Sequence, residues 1–279
     1  MQPPVDPILI EIGPLAVHWY GLLIVTGILL GASVARYLAG RAGKDPDVIW
    51  DMMMAVIFFG IVGARAYHVF SQPAGGLLGW DYYRTHPLEA FAIWRGGLGI
   101  YGAIAGGAVG VLIFAAFRKL HVLRWLDFLA PGLAVGQSIG RWGNYINQEL
   151  YGPPTTLPWG LAIDPEHRIP PFTDLAEYPG ATRFHPTFLY ESLATLVLGL
   201  VLVWVADRWR AQHRPGDLLA GYLLGYAVIR FFIEYLRPDA WMMGTLATAQ
   251  WIAIALGAVS VLVLVGRRVI KRGVNFNHG

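Results

Sequence analysis

Long apolar runs separated by short polar segments dominate the sequence. A helix that crosses a bilayer needs about 20 mostly apolar residues. Seven runs approach that length, and the fourth is short and rich in glycine. The pattern predicts seven transmembrane helices, at about residues 15–38, 48–70, 97–117, 125–142, 187–206, 217–236 and 246–265.

Composition supports a membrane protein and excludes several kinds of chemistry. Charged residues are 14% of the chain and hydrophobic residues 56%, whereas a soluble domain has about 25% charged residues. We therefore predict an all-α membrane protein in which residues 1–279 form a single polytopic domain. The chain has no cysteine, so any thiol that takes part in its chemistry must belong to a substrate.

Basic residues follow alternate apolar runs, which predicts the topology. Thirteen of the 21 Lys and Arg residues lie after the first, third, fifth and seventh runs: Arg36, Arg41, Lys44, Arg118, Lys119, Arg124, Arg208, Arg210, Arg214, Arg267, Arg268, Lys271 and Arg272. Such clusters mark the cytoplasmic side. The N-terminus is then outside and the C-terminus cytoplasmic. The loops 71–95 and 153–184 are extracytoplasmic, and prolines in the second argue against a long helix there.

The arginines outside those clusters break the expected charge bias. On this topology they all fall in the outer half of the membrane or in outer loops: Arg65, Arg84, Arg95, Arg141, Arg168, Arg183, Arg230 and Arg237. Arginines gathered on the outer side suggest an anionic ligand, and phosphate matches the geometry of a guanidinium group best.

The segment 140–152, GRWGNYINQELYG, places several polar side chains at the end of an apolar run. A charge at that depth costs at least ~2.5–3.5 kcal/mol, so such groups usually face a polar cavity or a partner. At helical spacing Arg141, Asn144, Tyr145 and Gln148 share one face. A structural ion pair plus a capped helix end is the alternative explanation.

Four further motifs place polar groups near or within apolar runs: HWYG (18–21), GGLGIYGAIAGG (96–107), HPTFLYES (185–192) and RFFIEYLRPD (230–239). The glycines of the second motif predict tight helix packing, and Tyr101 places one polar group within that helix, where it needs a hydrogen-bond partner. In the last motif Arg230 and Glu234 are one helical turn apart, and Arg237 continues the same face.

Other groups in the sequence have structural explanations or match no known motif. His185 begins the third motif and is explained equally well as a helix-end residue. Asp127 is as suited to capping its own helix as to any other role. No phosphate loop, dinucleotide fingerprint or convincing metal spacing occurs, so we expect no cofactor, no metal and no nucleic-acid partner.

The thirteen-residue segment closely resembles the signature of the bacterial prolipoprotein diacylglyceryl transferases, and the four other motifs occur in the order that this family shows. The resemblance covers essentially the whole chain. It implies transfer of a diacylglyceryl group from phosphatidylglycerol to the lipobox cysteine of a prolipoprotein, with release of glycerol phosphate. It also implies a location in the cell inner membrane, with the site toward the outer leaflet.

The resemblance also implies residue roles. Arg141 is expected to contact phosphatidylglycerol, and Arg230 is the second essential arginine. The resemblance also covers Tyr20, Asn144, Glu149 and Gly152 as residues that bind substrate. From their positions we add Glu234, which would orient Arg230, and His185 and Arg237 as further substrate-binding residues. Glu149 and His185 are also candidates for the base that takes the thiol proton.

One position departs from the family pattern. Where many members have Phe-His-Gly-Gly, this chain has Ile100-Tyr101-Gly102-Ala103. A phenol titrates near ~10 and is a poor base at neutral pH, whereas an imidazole titrates near ~6.5. We therefore expect Tyr101 to donate a hydrogen bond to phosphate or substrate, and the base to lie elsewhere if a strong base is needed.

Two other functions are compatible with outward-facing arginines. An organic-anion or lipid transporter predicts a polar route to both faces, but the polar residues concentrate in the outer half. A non-catalytic lipid-binding scaffold does not require Arg141, Asn144 and Glu149 to be so close together.

Overall fold

The computed structural model describes residues 1–4, 6–13, 15–71, 79–209 and 212–275, and this part of the chain is mostly helical. Each predicted apolar run lies on a long helix. These helices are α1 (Trp19–Arg41), α2 (Val48–Phe70), α4 (Ile100–Phe117), α5 (Val122–Gly140), α7 (Thr187–Arg208), α8 (Asp217–Glu234) and α9 (Thr248–Asn275). Two short helices are α3 (Trp80–Tyr83) and α6 (Trp142–Ile146).

Five helices among the described residues are long and apolar enough to cross a membrane: α1, α2, α4, α7 and α9. The fourth and sixth predicted spans form α5 and α8, which are more polar. Within α8 lie Asp217, Arg230 and Glu234, and α5 contains Arg124 and Asp127. The helical class is therefore confirmed, and the seven spans with an outer N-terminus stay a prediction.

The chain divides into two compact units, residues 43–125 and residues 1–42 with 126–279. In the smaller unit α2 and α4 pack closely through glycines. A Cβ on Gly102 would lie 2.1 Å from the carbonyl oxygen of Gly63, and one on Gly106 would lie 2.1 Å from that of Phe59. This contact confirms the tight packing predicted from the glycine-rich motif.

In the larger unit α1 and α5 meet at glycines, because a Cβ on Gly132 would lie 2.2 Å from the carbonyl oxygen of Gly31. Helices α8 and α9 run antiparallel, since Gln250 near the start of α9 donates to the carbonyl oxygen of Phe231 near the end of α8, and Gly257 further along α9 lies beside the earlier residue Ala227. Asp127 on α5 accepts hydrogen bonds from the amides of Gly216 (2.6 Å) and Leu219 (2.9 Å) at the start of α8. Asp127 thus caps the neighbouring helix α8, whereas the sequence had suggested that it caps α5, its own helix.

The segment 153–184, named the outer segment after its predicted location, contains no long helix, as the prolines predicted. It holds the short strands β3 (Leu161–Ala162) and β4 (Arg183–Phe184) and a single 3-10 turn at Pro165–His167. Its core includes Tyr151, Phe172 and Phe188. Other short strands, which the sequence did not predict, are β1 (Ile8–Ile12), β2 (Leu15–His18), β5 (Met242–Met243) and β6 (Leu246–Ala247). Strand β2 occupies the expected start of the first span, so α1 begins only at Trp19.

Candidate functional site

Arg141 stands at the break between α5, which ends at Gly140, and α6, which begins at Trp142. Its Nη2 lies 2.6 Å from Oε1 of Glu191 on α7, and its side chain is 23% exposed. Its Nη1 donates to Oδ1 of Asn144 over 3.4 Å. The guanidinium group is therefore held between a buried carboxylate and a neighbouring amide.

The residues of segment 140–152, called the signature segment, share a helical face only as far as the end of α6. The backbone turns out of the helix after Ile146, and both Gln148 (φ 52°) and Leu150 (φ 56°) adopt positive φ. Gln148 Nε2 consequently donates to Asp164 Oδ2 over 2.6 Å, and the Tyr145 hydroxyl donates to the carbonyl oxygen of Gln2. The prediction that Gln148 shares the face of Arg141 was therefore wrong. Tyr145 lies within α6 at helical spacing from Arg141, and Asn144 contacts Arg141.

Glu149 and Tyr20 lie beside this arginine. The Glu149 carboxylate accepts hydrogen bonds from Asn144 Nδ2 (2.8 Å) and Asn147 Nδ2 (3.4 Å). The Tyr20 ring packs on Gly143, where a Cβ would lie 2.2 Å from the ring carbon Cδ2. Tyr20 also interacts electrostatically with Glu149 and Arg141. The structure thus brings these predicted residues together.

The second arginine of the site is Arg230 on α8. Its Nη2 lies 2.6 Å from Glu234 Oε2, and both side chains are largely buried. The contact is an ion pair without hydrogen-bond geometry, since Glu234 Oε2 has no hydrogen-bond donor among the described residues. The predicted one-turn pair is therefore present.

Arg237 lies beyond the end of α8, so it does not continue the helical face as predicted. It donates to both carboxylate oxygens of Asp239, over 3.0 and 2.7 Å. This hydrogen bond from Arg237 holds the pKa of Asp239 below its usual range. Burial by itself lowers the pKa of Arg237, but the hydrogen bond and charge of Asp239, together with the charges of Glu234 and Glu191, outweigh burial and raise that pKa. Arg237 also interacts electrostatically with Glu234 and Glu191.

Tyr226 on α8 contacts the carboxylate that pairs with Arg141, and the sequence analysis did not select it. Its hydroxyl lies 3.4 Å from Glu191 Oε1. Its position one helical turn before Arg230 was the available signal, because such residues share a helix face.

Gly152 joins the outer segment to the end of α8. Its amide donates to the carbonyl oxygen of His185 over 2.9 Å, and a Cβ there would lie 3.0 Å from the carbonyl oxygen of Leu236. His185 Nδ1 is 3.1 Å from the Tyr190 hydroxyl, which accepts a hydrogen bond from Trp159 Nε1 over 3.1 Å. His185 therefore borders the site with one ring nitrogen already engaged.

Two of the outer arginines have structural roles. Arg65 donates to the carbonyl oxygens of four residues, Glu89, Ala90, Gly96 and Gly97. Arg168 donates to those of Ile163, Tyr178, Pro179 and Gly180 and lies over the Phe184 ring. Their guanidinium groups are saturated by backbone, so a shared role in anion binding was the wrong prediction for these two.

Tyr101 belongs to the smaller unit. It lies in the first turn of α4 instead of within the helix, and it is 68% exposed. Its ring centroid is 5.8 Å from that of Tyr67. No hydrogen bond of its hydroxyl is present among the described residues. Its expected role toward the substrate stays a prediction.

One group of possible metal ligands occurs in the outer segment. Asp164, Glu166 and His167 place one ligand atom each within 4.8 Å of one another, and all three residues are exposed. Asp164 is already bonded to Gln148. Exposed acidic groups of this kind are common without an ion, so we assign no metal site.

Helices suited to a membrane, together with partly buried guanidinium groups paired with buried carboxylates, define a helical membrane protein with a polar cluster. The family model described as prolipoprotein diacylglyceryl transferase matches residues 7–266. The chain belongs to the prolipoprotein diacylglyceryl transferase family, and it is a transferase.

Relatives from distant bacteria agree with this assignment, and each is named phosphatidylglycerol–prolipoprotein diacylglyceryl transferase. The protein of Synechococcus elongatus is 43% identical over 269 residues, covering 95% of this chain and 89% of the relative. That of Chloroflexus aggregans is 40% identical over 288 residues, covering 96% and 92%. That of Lactococcus lactis is 36% identical over 267 residues, covering 95% and 96%.

Proposed function

We propose that this protein transfers the diacylglyceryl group of phosphatidylglycerol to the lipobox cysteine of prolipoproteins and releases glycerol phosphate. The names of the relatives supply the two substrates. The observation that carries the proposal for the site is the pairing of Arg141 with Glu191 over 2.6 Å, together with the hydroxyl of Tyr226, which lies 3.4 Å from the same carboxylate. Tyr226 is one helical turn before Arg230, so the helix face that carries Arg230 is turned toward Arg141. Two guanidinium groups can bind a single phosphate.

The reaction is a displacement at the glycerol carbon that bears the phosphate. The thiolate sulfur of the substrate forms the new C–S bond. The C–O bond to phosphate breaks, and its electron pair leaves with the phosphate oxygen. Arg141 and Arg230 stabilise the charge on the departing group, and such stabilisation in a water-poor site is usually the largest catalytic contribution. Glu234 orients Arg230, Arg237 adds a third cation, and Asn144 and Tyr20 position the headgroup.

The thiol proton needs an acceptor, and Glu149 is the better placed of the two candidates. Its carboxylate is held by two amides and forms no ion pair among the residues that the structure describes. His185 has Nδ1 engaged by Tyr190, which leaves it only Nε2.

We also propose the location of the reaction. The protein spans the cell inner membrane seven times, and the site opens toward the outer leaflet, where a secreted prolipoprotein presents its lipobox. The apolar character of five helices and the distribution of basic residues support this orientation.

The test is transfer of lipid from labelled phosphatidylglycerol to a lipobox peptide by the purified protein. We expect lipid on the peptide, and we expect Arg141→Ala and Arg230→Ala each to lower the rate by roughly 10²–10³-fold or more. The matched control is Arg183→Ala in the outer segment, which should keep nearly the full rate. Solute flux without transfer would indicate a transporter, and lipid binding alone a scaffold. Near-normal rates in both site variants would refute the roles of the arginines.

A further inference from the structure

Glu191 is a buried carboxylate on α7 to which the sequence analysis gave no role. It is only 4% exposed. Its Oε1 lies 2.6 Å from Arg141 Nη2 and 3.4 Å from the Tyr226 hydroxyl. It also interacts electrostatically with Arg237. One carboxylate thus faces groups from the α5–α6 break, from α8 and from the segment after α8.

The Arg141–Glu191 pair differs from the other two ion pairs of the site. Arg230 pairs with Glu234 four residues away, and Arg237 pairs with Asp239 two residues away. Local pairs form wherever their own segment folds. Arg141 and Glu191 are 50 residues apart, so their contact depends on the packing of α7 against the signature segment.

Burying a carboxylate is costly, and an ion pair repays this cost only with good geometry. A carboxylate also works against the binding of an anion, because it neutralises the arginine that would hold the phosphate. Its presence 2.6 Å from Arg141 therefore needs a compensating benefit. The ion pair provides such a benefit, because it fixes one edge of the guanidinium group and leaves the other N–H groups for Asn144 and a ligand.

We propose that Glu191 is a positioning residue for Arg141, which orients the guanidinium group toward the leaving phosphate at the expense of ground-state affinity for the anion. This inference rests on the proposed transferase function. It predicts two effects of opposite sign when the charge is removed. The reaction slows because Arg141 loses its alignment, and binding of the anion strengthens because a competing negative charge is gone.

The test compares Glu191→Gln with Asp127→Asn, which removes another buried carboxylate that caps α8 away from the site. We measure kcat, KM for phosphatidylglycerol, thermal stability, and the affinity of the folded protein for glycerol phosphate. For Glu191→Gln we expect kcat to fall roughly a hundredfold, as a misplaced catalytic group can cost. We also expect glycerol phosphate to bind about threefold more tightly or better. Asp127→Asn should lower stability and leave kcat and the affinity for glycerol phosphate nearly unchanged.

Weaker binding of glycerol phosphate by Glu191→Gln, or a kcat within about threefold of the wild type, a change too small for a lost alignment, would overturn the proposal. If Glu191→Gln does not fold, Glu191→Asp keeps the charge and shortens its reach by one methylene. That variant should still lose kcat without tighter anion binding, and a wild-type kcat would refute the positioning role. If the wild type transfers no lipid, the proposed function fails, while glycerol phosphate binding still tests the competition between Glu191 and the anion.

Discussion

At the scale of single residues, the surroundings of an arginine decide what it does. Arg168 gives its N–H groups to backbone carbonyls and holds a loop together. Arg141 and Arg230 instead pair with the carboxylates of Glu191 and Glu234, and each remains partly exposed. A guanidinium group with N–H donors still available can bind phosphate, whereas a saturated one cannot.

The role of Tyr101 is tested by Tyr101→Phe, which keeps the ring and removes the hydroxyl. If the hydroxyl holds phosphate or substrate, turnover should fall by about tenfold or more, the size expected for a lost hydrogen bond to a charged group. Tyr67→Phe is the matched control, because its ring packs beside that of Tyr101. An unchanged rate in Tyr101→Phe would show that Tyr101 contributes to packing and not to binding or turnover.

The Arg237–Asp239 pair predicts how stability depends on pH. The pKa of Asp239 is lower in the folded protein than its ordinary value because Arg237 donates hydrogen bonds to the carboxylate. The unfolded chain therefore binds the proton first as pH falls, and the contribution of the pair is lost only as pH falls through the lowered pKa. It is fully present above the ordinary aspartate pKa of about 3.9.

Thermal unfolding of the wild type and Asp239→Asn in detergent between about pH 7 and pH 3 measures this contribution. We expect a constant difference in stability down to about pH 5 and a shrinking difference below about pH 4. The difference should be small, because a partly exposed pair is screened by solvent. A difference that disappears between pH 7 and pH 6, roughly where histidines titrate, would contradict the assignment to Asp239.

At the scale of elements, glycines set how closely the helices approach. Gly31 packs against Gly132, and Gly63 packs against Gly102. In both contacts a Cβ on either glycine would collide with the carbonyl oxygen of the other. Membrane helices gain little from the hydrophobic effect when they pair, so close backbone packing has to supply much of the attraction. The first contact holds α5 against α1 and thereby supports the α5–α6 break that carries Arg141.

A pair of alanine substitutions on α1 separates packing from helix propensity. The Cβ of Gly31→Ala would lie 2.6 Å from the carbonyl oxygen of Gly132, whereas nothing lies within 4 Å of a Cβ on Gly21. We expect Gly31→Ala to lower the free energy of unfolding by about 1–3 kcal/mol, as overpacking does. Gly21→Ala should be neutral or slightly stabilising. Equal melting temperatures for the two variants would show that the α1–α5 contact can relax without cost.

At the scale of the whole molecule, the predicted topology is open to direct labelling, because the chain has no cysteine of its own. Single cysteines at the exposed positions Lys44 and Lys119 should be protected in intact cells from a membrane-impermeant maleimide. Cysteines at the exposed positions Leu88 and Thr173 should react. Reaction of all four after the membrane is opened is the control for accessibility. Labelling of Lys44→Cys in intact cells would contradict the cytoplasmic assignment.

Much of the helical framework could be predicted, because each apolar run carries its own signal. The predicted segment 48–70 coincides with α2, and 187–206 differs from α7 by two residues at its end. Four of the strands, β3, β4, β5 and β6, were missed because they have two residues each, too few for an alternating pattern. Likewise, positive φ at Gln148 and Leu150 breaks the helical spacing that the sequence suggested.

The sequence by itself determined that this is a helical membrane protein, because the hydrophobic effect acts on each apolar segment independently of the rest of the chain. It also indicated Arg141 and Arg230, since charges in apolar surroundings need a reason. The spacing also predicted Glu234 as the partner of Arg230, whereas only the tertiary structure decided the partner of Arg141. Glu191 comes to Arg141 from α7, and Tyr226 comes to Glu191 from α8. Contacts of that kind depend on how helices pack, which no local pattern encodes.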